Sequence, residues 1–378
     1  MNYREFKDAQ VSLYGMGCMR LPVIDGDSAK IDEEQLFKMV DYAIDQGVNY
    51  FDTAWAYHSG QSEIAMGRAL ARHPRESFLL ADKFPGYDSA NWGKTAEIFE
   101  EQLRKCQVDY FDFYLFHNVC EVNIDAYLDD AKYGTFSYLM EQKRNGRIKH
   151  LGFSVHGTTK TTERFLEAYG KDMDFCQIQL NYLDYEFQDA KAKLRLAKEY
   201  NLPVICMEPL RGGRLVNLSE KQEDMLRAAR PDEGNVAWAL RYLTAQPQVL
   251  TILCGSSSFE QAKENIAVLS DDKPLSEAEL EVLEAVAKNM IAGDVSPCTG
   301  CRYCVDHCPQ GIDIPRMLEL YAEHKFTGGG FLAPFAIGAT PEGQRPEDCL
   351  QCGACSEVCP QQIDIPGELE KFTELLKG

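Results

Sequence analysis

Residues 48–60 read VNYFDTAWAYHSG. Val48, Tyr50 and Phe51 form a short apolar run that closes on an acid, Asp52, and Tyr57 follows five residues later. A strand buried on both faces reads this way, near-continuously apolar rather than alternating. Seven further runs have the same character: VSLYGMGCMRL, FLLADKF, FDFYLFH, IKHLGFSV, FCQIQLNY, PVICMEPL and LTILCGSS. Between them lie amphipathic stretches such as DEEQLFKMVDYAIDQG, KTAEIFEEQLRKCQ and DAKAKLRLAKEYN. Eight such units up to about residue 258 predict an α/β fold, a (β/α)₈ TIM barrel. A doubly wound sheet is the runner-up, but no G-x-G-x-x-G follows the first run.

One more helix, LSEAELEVLEAVAKNM, is opened by Ser276 with Glu279 three residues on, a capping-box pattern. The loop IAGDVSP then leads into a cysteine-rich tail. The expected boundary is near residue 292, with a barrel over 1–292 and a small, mainly helical domain over 293–378. The length of 378 residues suits two domains.

Composition narrows the function. Hydrophobic residues make up 45% and charged residues 26%, which is globular usage. The formal net charge of −20 argues against nucleic acid, whose phosphates are met by Lys and Arg. It confers solubility, and it also suits docking of a basic partner. No apolar run is long enough to span a membrane, and the polar start MNYREFKDAQ does not read as a signal peptide. Of 14 cysteines, Cys18, Cys106, Cys120, Cys176, Cys206 and Cys254 are scattered among apolar neighbours and read as small buried hydrophobes. The other eight are clustered like metal ligands, which predicts a reducing, cytoplasmic setting.

Barrel enzymes place their chemistry at the C-terminal ends of strands. Three successive runs deliver Asp52 with Tyr57, Lys83 in ADKFP, and His117 in YLFHN to one rim. Taken singly, each has an ordinary structural use, as a salt bridge or a satisfied hydrogen bonder. Together they can reduce a carbonyl. A tyrosine hydroxyl can protonate a developing alkoxide, a neighbouring Lys⁺ lowers its high pKa, an aspartate balances the lysine, and a histidine orients the carbonyl oxygen.

On these residues, residues 1 to 290 closely resemble the aldo-keto reductase family. The resemblance begins with a predicted hairpin, YREFKDAQVSLYGMGCMRLP, and includes DTAWAYHSGQSEIAMGRAL, which is very like the family signature. It implies that Asp52, Tyr57, Lys83 and His117 are the catalytic tetrad. It also implies NAD or NADP as cofactor and a small carbonyl or alcohol as substrate. The positions implied for cofactor binding begin with Gly17, Met19 and Arg20 after the first run. Ser154 in GFSVHG and Gln179 in IQLNY correspond to the carboxamide contacts. The family usually has Asn where Val155 stands, and His156 is the compensating residue. Met207 replaces a frequent aromatic ring. Leu210, Gly212 and Gly213 in MEPLRGG match the pyrophosphate loop. Gly255, Ser256, Gln261, Glu264 and Asn265 in CGSSSFEQAKENI match the segment around the adenosine phosphate. Members preferring NADPH commonly carry Lys or Arg there, whereas this chain has Gly255 and Gln261.

In the tail, CTGCRYCVDHCP places Cys298, Cys301, Cys304 and Cys308 in the pattern C-x₂-C-x₂-C-x₃-C-P. CLQCGACSEVCP repeats it with Cys349, Cys352, Cys355 and Cys359. In this two-cluster pattern the fourth cysteine of each run ligates the other cluster. One [4Fe–4S] is therefore expected on Cys298, Cys301, Cys304 and Cys359, and the other on Cys349, Cys352, Cys355 and Cys308. Two zinc sites are the alternative, since C-x₂-C also serves zinc. The repeat continues: CPQGIDIP recurs as CPQQIDIP, each before a helical stretch. Forty residues separate Cys308 from Cys349, which is long for a compact ferredoxin. The tail resembles the helical ferredoxin type of fumarate-reductase-like iron–sulfur subunits.

Two functions of different class follow. One is an oxidoreductase whose clusters transfer electrons to or from a redox protein partner. The other is a nicotinamide-binding redox or oxygen sensor. The complete tetrad favours the enzyme. A nicotinamide passes two electrons as a hydride and a cluster passes one, so coupling them calls for a flavin or a radical-tolerant substrate; no flavin fingerprint is present.

Overall fold

The computed structural model describes residues 1–291, 296, 298, 302, 304–359 and 361–377. The chain forms two compact units, Met1–Glu284 and Ala285–Gly378. The expected boundary residue, 292, lies outside the described residues.

Unit one opens with an antiparallel hairpin, β1 (Tyr3–Phe6) and β2 (Ala9–Ser12). Eight parallel strands follow: β3 (Tyr14–Gly17), β4 (Tyr50–Asp52), β5 (Leu79–Phe84), β6 (Phe111–Val119), β7 (Ile148–Val155), β8 (Phe175–Gln179), β9 (Val204–Met207) and β10 (Val249–Gly255). They close into a barrel in chain order, with β10 pairing back onto β3 through Ile252↔Tyr14 to Gly255↔Gly17. All eight apolar runs become barrel strands. The first differs in one respect. VSLYGMGCMRL reads as one run, but its start belongs to β2 and its middle to β3, with a bend at Leu13 between them. Ser12 supports that bend by donating its hydroxyl to Tyr14 O at 2.7 Å.

The strands are apolar on both faces because both faces are buried. β4, β6, β8 and β10 are almost wholly inaccessible. Tyr50, Phe113, Phe175, Leu115, Ile205 and Leu250 form an interior cluster that also takes in Phe6 and Val11 of the hairpin. Phe6 stacks on Phe113 with centroids 5.5 Å apart. Because Tyr50 and Phe175 begin their strands, the hairpin plugs the N-terminal end of the barrel and leaves the opposite end for chemistry. The capping box of the helix Glu277–Ile291 is present: Ser276 N donates to Glu279 Oε2 at 2.7 Å, and Glu279 N donates to Ser276 Oγ at 3.4 Å.

Unit two shows that the sequence repeat is a structural one. The helices Ile314–Thr327 and Ile365–Leu376 are capped by Asp313 and Asp364, each accepting a backbone N–H from three residues on, and each helix carries proline in its first turn. Before each cap the same turn recurs, with Gly311 N donating to Cys308 O and Gln362 N to Cys359 O, both at 3.0 Å. The core joins the halves through Ile312, Ile314, Met317, Tyr321, Ile363, Ile365, Leu369 and Phe372. No helix among the described residues is long and apolar enough to cross a membrane.

Candidate functional site

Asp52 ends β4, Lys83 lies next to last in β5, and His117 lies near the end of β6, so three adjacent strands bring their polar residues to one rim. Tyr57 reaches the same place from the turn after β4. Beyond it His58 and Ser59 take consecutive left-handed conformations, φ 53° and 54°, which reverse the chain sharply; such backbone concentrates at functional sites.

Lys83 is fully buried. Its Nζ donates to Asp52 Oδ1 and to Thr53 O, both at 2.6 Å. The same ammonium stands 5.2 Å from the centre of the Tyr57 ring. The rings of Tyr57 and His117 meet nearly at right angles, 6.1 Å apart. All four residues of the expected tetrad are therefore together.

The electrostatics follow from burial and this one ion pair. Burial alone would lower the Lys83 pKa, but Asp52 and then Tyr57 raise it, so the ammonium is retained. Burial raises Asp52 against the pull of Lys83. Tyr57 is pushed up to about 12 by burial, with Lys83 opposing the rise. His117 is held well below the usual histidine value by burial, then by Lys83 and His156, and is neutral near physiological pH. Asp52 Oδ2 and His117 Nδ1 are buried without a hydrogen-bond partner among the described residues.

Further round the rim, Ser154 Oγ accepts from Asn118 N at 2.8 Å, which fixes the hydroxyl. Val155 is fully buried in the wall, and His156 instead hydrogen-bonds Gln179. Burial, then Lys193, lowers the His156 pKa to about 4, so the ring is neutral. Gln179 Nε2 donates to Asp184 Oδ2 at 2.8 Å. Asp184 was not singled out from sequence, yet it is the hub here. It also accepts from Asn181 Nδ2 at 2.6 Å and from Arg211 Nε at 2.9 Å. Since a carboxylate only accepts, Gln179 must turn its amide nitrogen to Asp184. Tyr87 was missed as well: its ring stands edge-on to His117 at 5.2 Å, and an aromatic four residues after Lys83 was the available signal.

After β9, Met207 and Leu210 are half-buried, and Gly212 and Gly213 take φ 63° and 95°. Gly17 and Gly255 are register partners of adjacent strands. Met19 and Arg20 are exposed in the loop that follows Gly17. Ser256 Oγ accepts from Asn265 Nδ2 at 3.2 Å, and Gln261 Oε1 accepts from Ser257 N at 2.9 Å. Those two amides are thus engaged within the protein, and Glu264 is exposed.

In unit two a small pocket, open in part to solvent, is lined by Cys308, Cys349, Cys352 and Cys355. Three of these thiols come from the second run and the fourth from the first, which is the expected exchanged set. Cys298, Cys304 and Cys359 pack on the same core, and Cys301 lies outside the described residues. Four thiols on one pocket wall are a donor set of the kind that holds a [4Fe–4S] cluster.

Residues 15–288 match the aldo/keto reductase family, and residues 297–363 match a 4Fe-4S dicluster domain. The uncharacterized oxidoreductase YqkF of Bacillus subtilis is 26% identical over 315 residues, covering 75% of this chain and 95% of its own. The NADH-specific methylglyoxal reductase of Escherichia coli is 23% identical over 331 residues, covering 74% and 96%. The holo form of an aldo-keto reductase from Bacillus halodurans is 27% identical, with a TM-score of 0.62 over 76% of this chain and 97% of its own. With its barrel, its rim residues and a family match over well more than half its length, the chain belongs to the aldo/keto reductase family and carries a 4Fe-4S dicluster domain in its C-terminal part.

Proposed function

We propose that residues 1–292 interconvert a small carbonyl compound and its alcohol with NAD or NADP, and that residues 293–378 hold two [4Fe–4S] clusters that exchange electrons with a redox protein. The observation that carries the first half is the buried Lys83–Asp52 pair beneath the Tyr57 ring. It is a device for stabilising a phenolate. The donor set fits a dinucleotide. Ser154 and Gln179 suit a carboxamide, and the left-handed Gly212–Gly213 turn leaves backbone open to a pyrophosphate. The Bacillus halodurans neighbour is a holo form and the Escherichia coli relative is named for NADH and methylglyoxal, which is the same chemistry.

When bound, the nicotinamide supplies or takes a hydride. The chain's own residues handle the proton. In the reducing direction Tyr57 Oη gives its proton to the carbonyl oxygen, and Lys83 stabilises the phenolate left behind. Asp52 keeps Lys83 charged and in place. Neutral His117 orients the carbonyl oxygen without competing as an acid. The cysteine-lined cavity supports the second half, since thiolates at its wall would hold a cluster near the protein surface.

Turnover of simple aldehydes and ketones by anaerobically prepared protein tests the enzyme reading. Tyr57→Phe should lower kcat by about 10²–10⁴-fold and leave dinucleotide binding nearly intact, because the hydroxyl acts in the transition state. A Phe variant retaining half the activity overturns the assignment.

A further inference from the structure

We propose that Glu63 and Asp82 share one proton and act, with Gln102, as the positioning unit for Lys83; the role toward Lys83 rests on the enzyme reading above. Both carboxyls are fully buried, Glu63 in the helix Ser62–Leu70 and Asp82 in β5 beside Lys83. Gln102, in the helix Thr95–Cys106, is buried with them. Its Nε2 donates to Glu63 Oε1 and to Asp82 Oδ1, both at 2.9 Å. Tyr114 donates its hydroxyl to Gln102 Oε1 at 2.6 Å, which fixes the amide with its nitrogen toward the acids.

Charge balance calls for the proton. Lys105 Nζ lies 2.8 Å from Glu63 Oε2 and is the one side-chain cation bonded to the pair among the described residues, since the Lys83 ammonium is taken by Asp52. Cys106 Sγ stands 3.8 Å from Asp82 Oδ2. With Cys18, Tyr87 and Tyr114 it completes the titratable surroundings, and burial keeps all four neutral. Two ionised carboxyls against one ammonium would bury a net negative charge, which is costly. An ionised carboxylate only accepts, so the hydrogen bond between Asp82 and Glu63 exists only with a proton on one of them. Burial, and then the Glu63 charge, accordingly raise Asp82 well above the usual carboxylate range.

The unit stands where the barrel stops holding Lys83. Pairing of β4 with β5 ends at Asp52 and Ala81. Beyond that point Lys83 N donates to Asp82 Oδ1 at 2.8 Å, and Lys83 O accepts from Gln102 Nε2 at 3.0 Å. Both backbone groups of the lysine are thus fixed here while its ammonium faces Tyr57. The shared proton keeps a second negative charge from competing for that ammonium.

Infrared spectroscopy and alcohol-oxidation kinetics on the full-length, cluster-loaded protein test the two halves separately. At neutral pH the wild type should show the carbonyl stretch of a protonated carboxylic acid, sensitive to heavy water, that disappears in both Asp82→Asn and Glu63→Gln. These variants keep the shape of the acids and so the packing. Absence of the band, or its persistence in either variant, overturns the shared proton. Asp82→Ala leaves Glu63 balanced by Lys105. It should lower kcat by about a hundredfold with KM little changed, the scale of a misplaced catalytic group, and Asp82→Asn should recover most of that loss without moving the pH profile. A profile displaced to lower pH in Asp82→Asn means that a negative charge was removed, and overturns the neutral pair. Wild-type kcat in Asp82→Ala overturns the positioning role and leaves the enzyme reading standing. Wild-type protein that shows the band but turns over no carbonyl or alcohol defeats the enzyme reading, not the shared proton.

Discussion

Lys83 Nζ lies 2.6 Å from Asp52 Oδ1 and has no exposed surface, so the cation that faces Tyr57 is neutralised from below and shut off from water. In such a low-dielectric setting a charge acts strongly on its neighbours. Its effect on Tyr57 has a definite sign. Burial raises the phenol to about 12, and Lys83 is the influence that keeps it from rising further.

The pH dependence follows. Alcohol oxidation needs the Tyr57 phenolate, so its rate should climb with pH through the alkaline range. Lys83→Met removes the lowering influence, raises the Tyr57 pKa and displaces the whole profile to higher pH. At a fixed pH below both pKa values each unit of displacement means about a tenfold slower oxidation. Leaving Asp52 buried without its partner also costs about 3–5 kcal/mol of stability, so folding of the variant is checked by circular dichroism beforehand. Superimposable pH profiles for a folded variant would show that Lys83 does not tune Tyr57.

The exchange of the fourth cysteine predicts which cluster each one serves. Cys308 lines the cavity of Cys349, Cys352 and Cys355 although it belongs to the other run. Cys308→Ser should perturb that cluster, and Cys359→Ser the one on Cys298, Cys301 and Cys304. The wild type should contain about eight irons and eight sulfides and bleach with dithionite, as two [4Fe–4S] clusters require. Combining each serine variant with a Cys352→Ser change separates the cases. Cys308→Ser and Cys352→Ser strike one EPR signal and add little to each other, whereas Cys359→Ser and Cys352→Ser strike both. The opposite pattern assigns each run to its own cluster, and zinc in place of iron removes the clusters altogether.

Backbone conformation within the repeat gives a third expectation. Gly311 sits at φ 68°, and its counterpart Gln362 at φ 53°. Likewise Gly353, at φ 77°, corresponds in the repeat to Arg302 at φ 66°. Each half holds a side-chain-bearing residue where the other uses glycine. The left-handed region costs an ordinary residue about 1–2 kcal/mol, so Gln362→Gly should stabilise unit two by about 1 kcal/mol after the flexibility glycine adds to the unfolded chain. The visible absorbance of the clusters during thermal unfolding reports this unit without the barrel. A lowered midpoint would mean that the Gln362 side chain makes contacts that outweigh its backbone strain.

The parts that sequence made legible are those governed by periodicity and spacing. Doubly buried strands are apolar throughout, so all eight barrel strands stood out. Asp52, Lys83 and His117 stood out because strand ends of a barrel share one rim. The break at Leu13 was hidden because Val11 and Leu13 to Met16 read as one apolar run interrupted by a single serine, and the role of Ser12 in the bend shows only in its hydroxyl bond to Tyr14 O. The hub at Asp184 was hidden for a different reason. It gathers Gln179 and Asn181 from its own segment at the end of β8 and Arg211 from the turn after β9, and that last contact exists only once β8 and β9 pair. The reach of Arg20 from Gly255 to Gly212 was hidden, because it depends on β10 pairing with β3 across the chain's whole length.

The final prediction concerns why a reductase barrel carries clusters. Cys352 is exposed and Leu350 beside it is 60% exposed, so the cavity lined by Cys308, Cys349, Cys352 and Cys355 opens at the surface where a partner could dock. Acidic Glu347 and Glu357 flank that run and are exposed, which favours a partner with a basic face. The barrel moves electrons in pairs and a cluster moves them singly, so a partner bearing a flavin can reconcile the two. If the tail is an electron port, ligands in the barrel must be redox-linked to the clusters, and any effect of ligand binding on a cluster has an equal effect of reduction on ligand binding. An anaerobic redox titration followed by EPR, with and without saturating nicotinamide and carbonyl substrate, should show at least one midpoint shifting. Leu350→Lys should slow electron exchange with a basic one-electron probe such as cytochrome c while leaving the midpoints unchanged. If both midpoints stay put and no nicotinamide, substrate or protein carrier ever alters the oxidation state of the clusters, the port is excluded, and the tail is a scaffold or a sensor of oxygen.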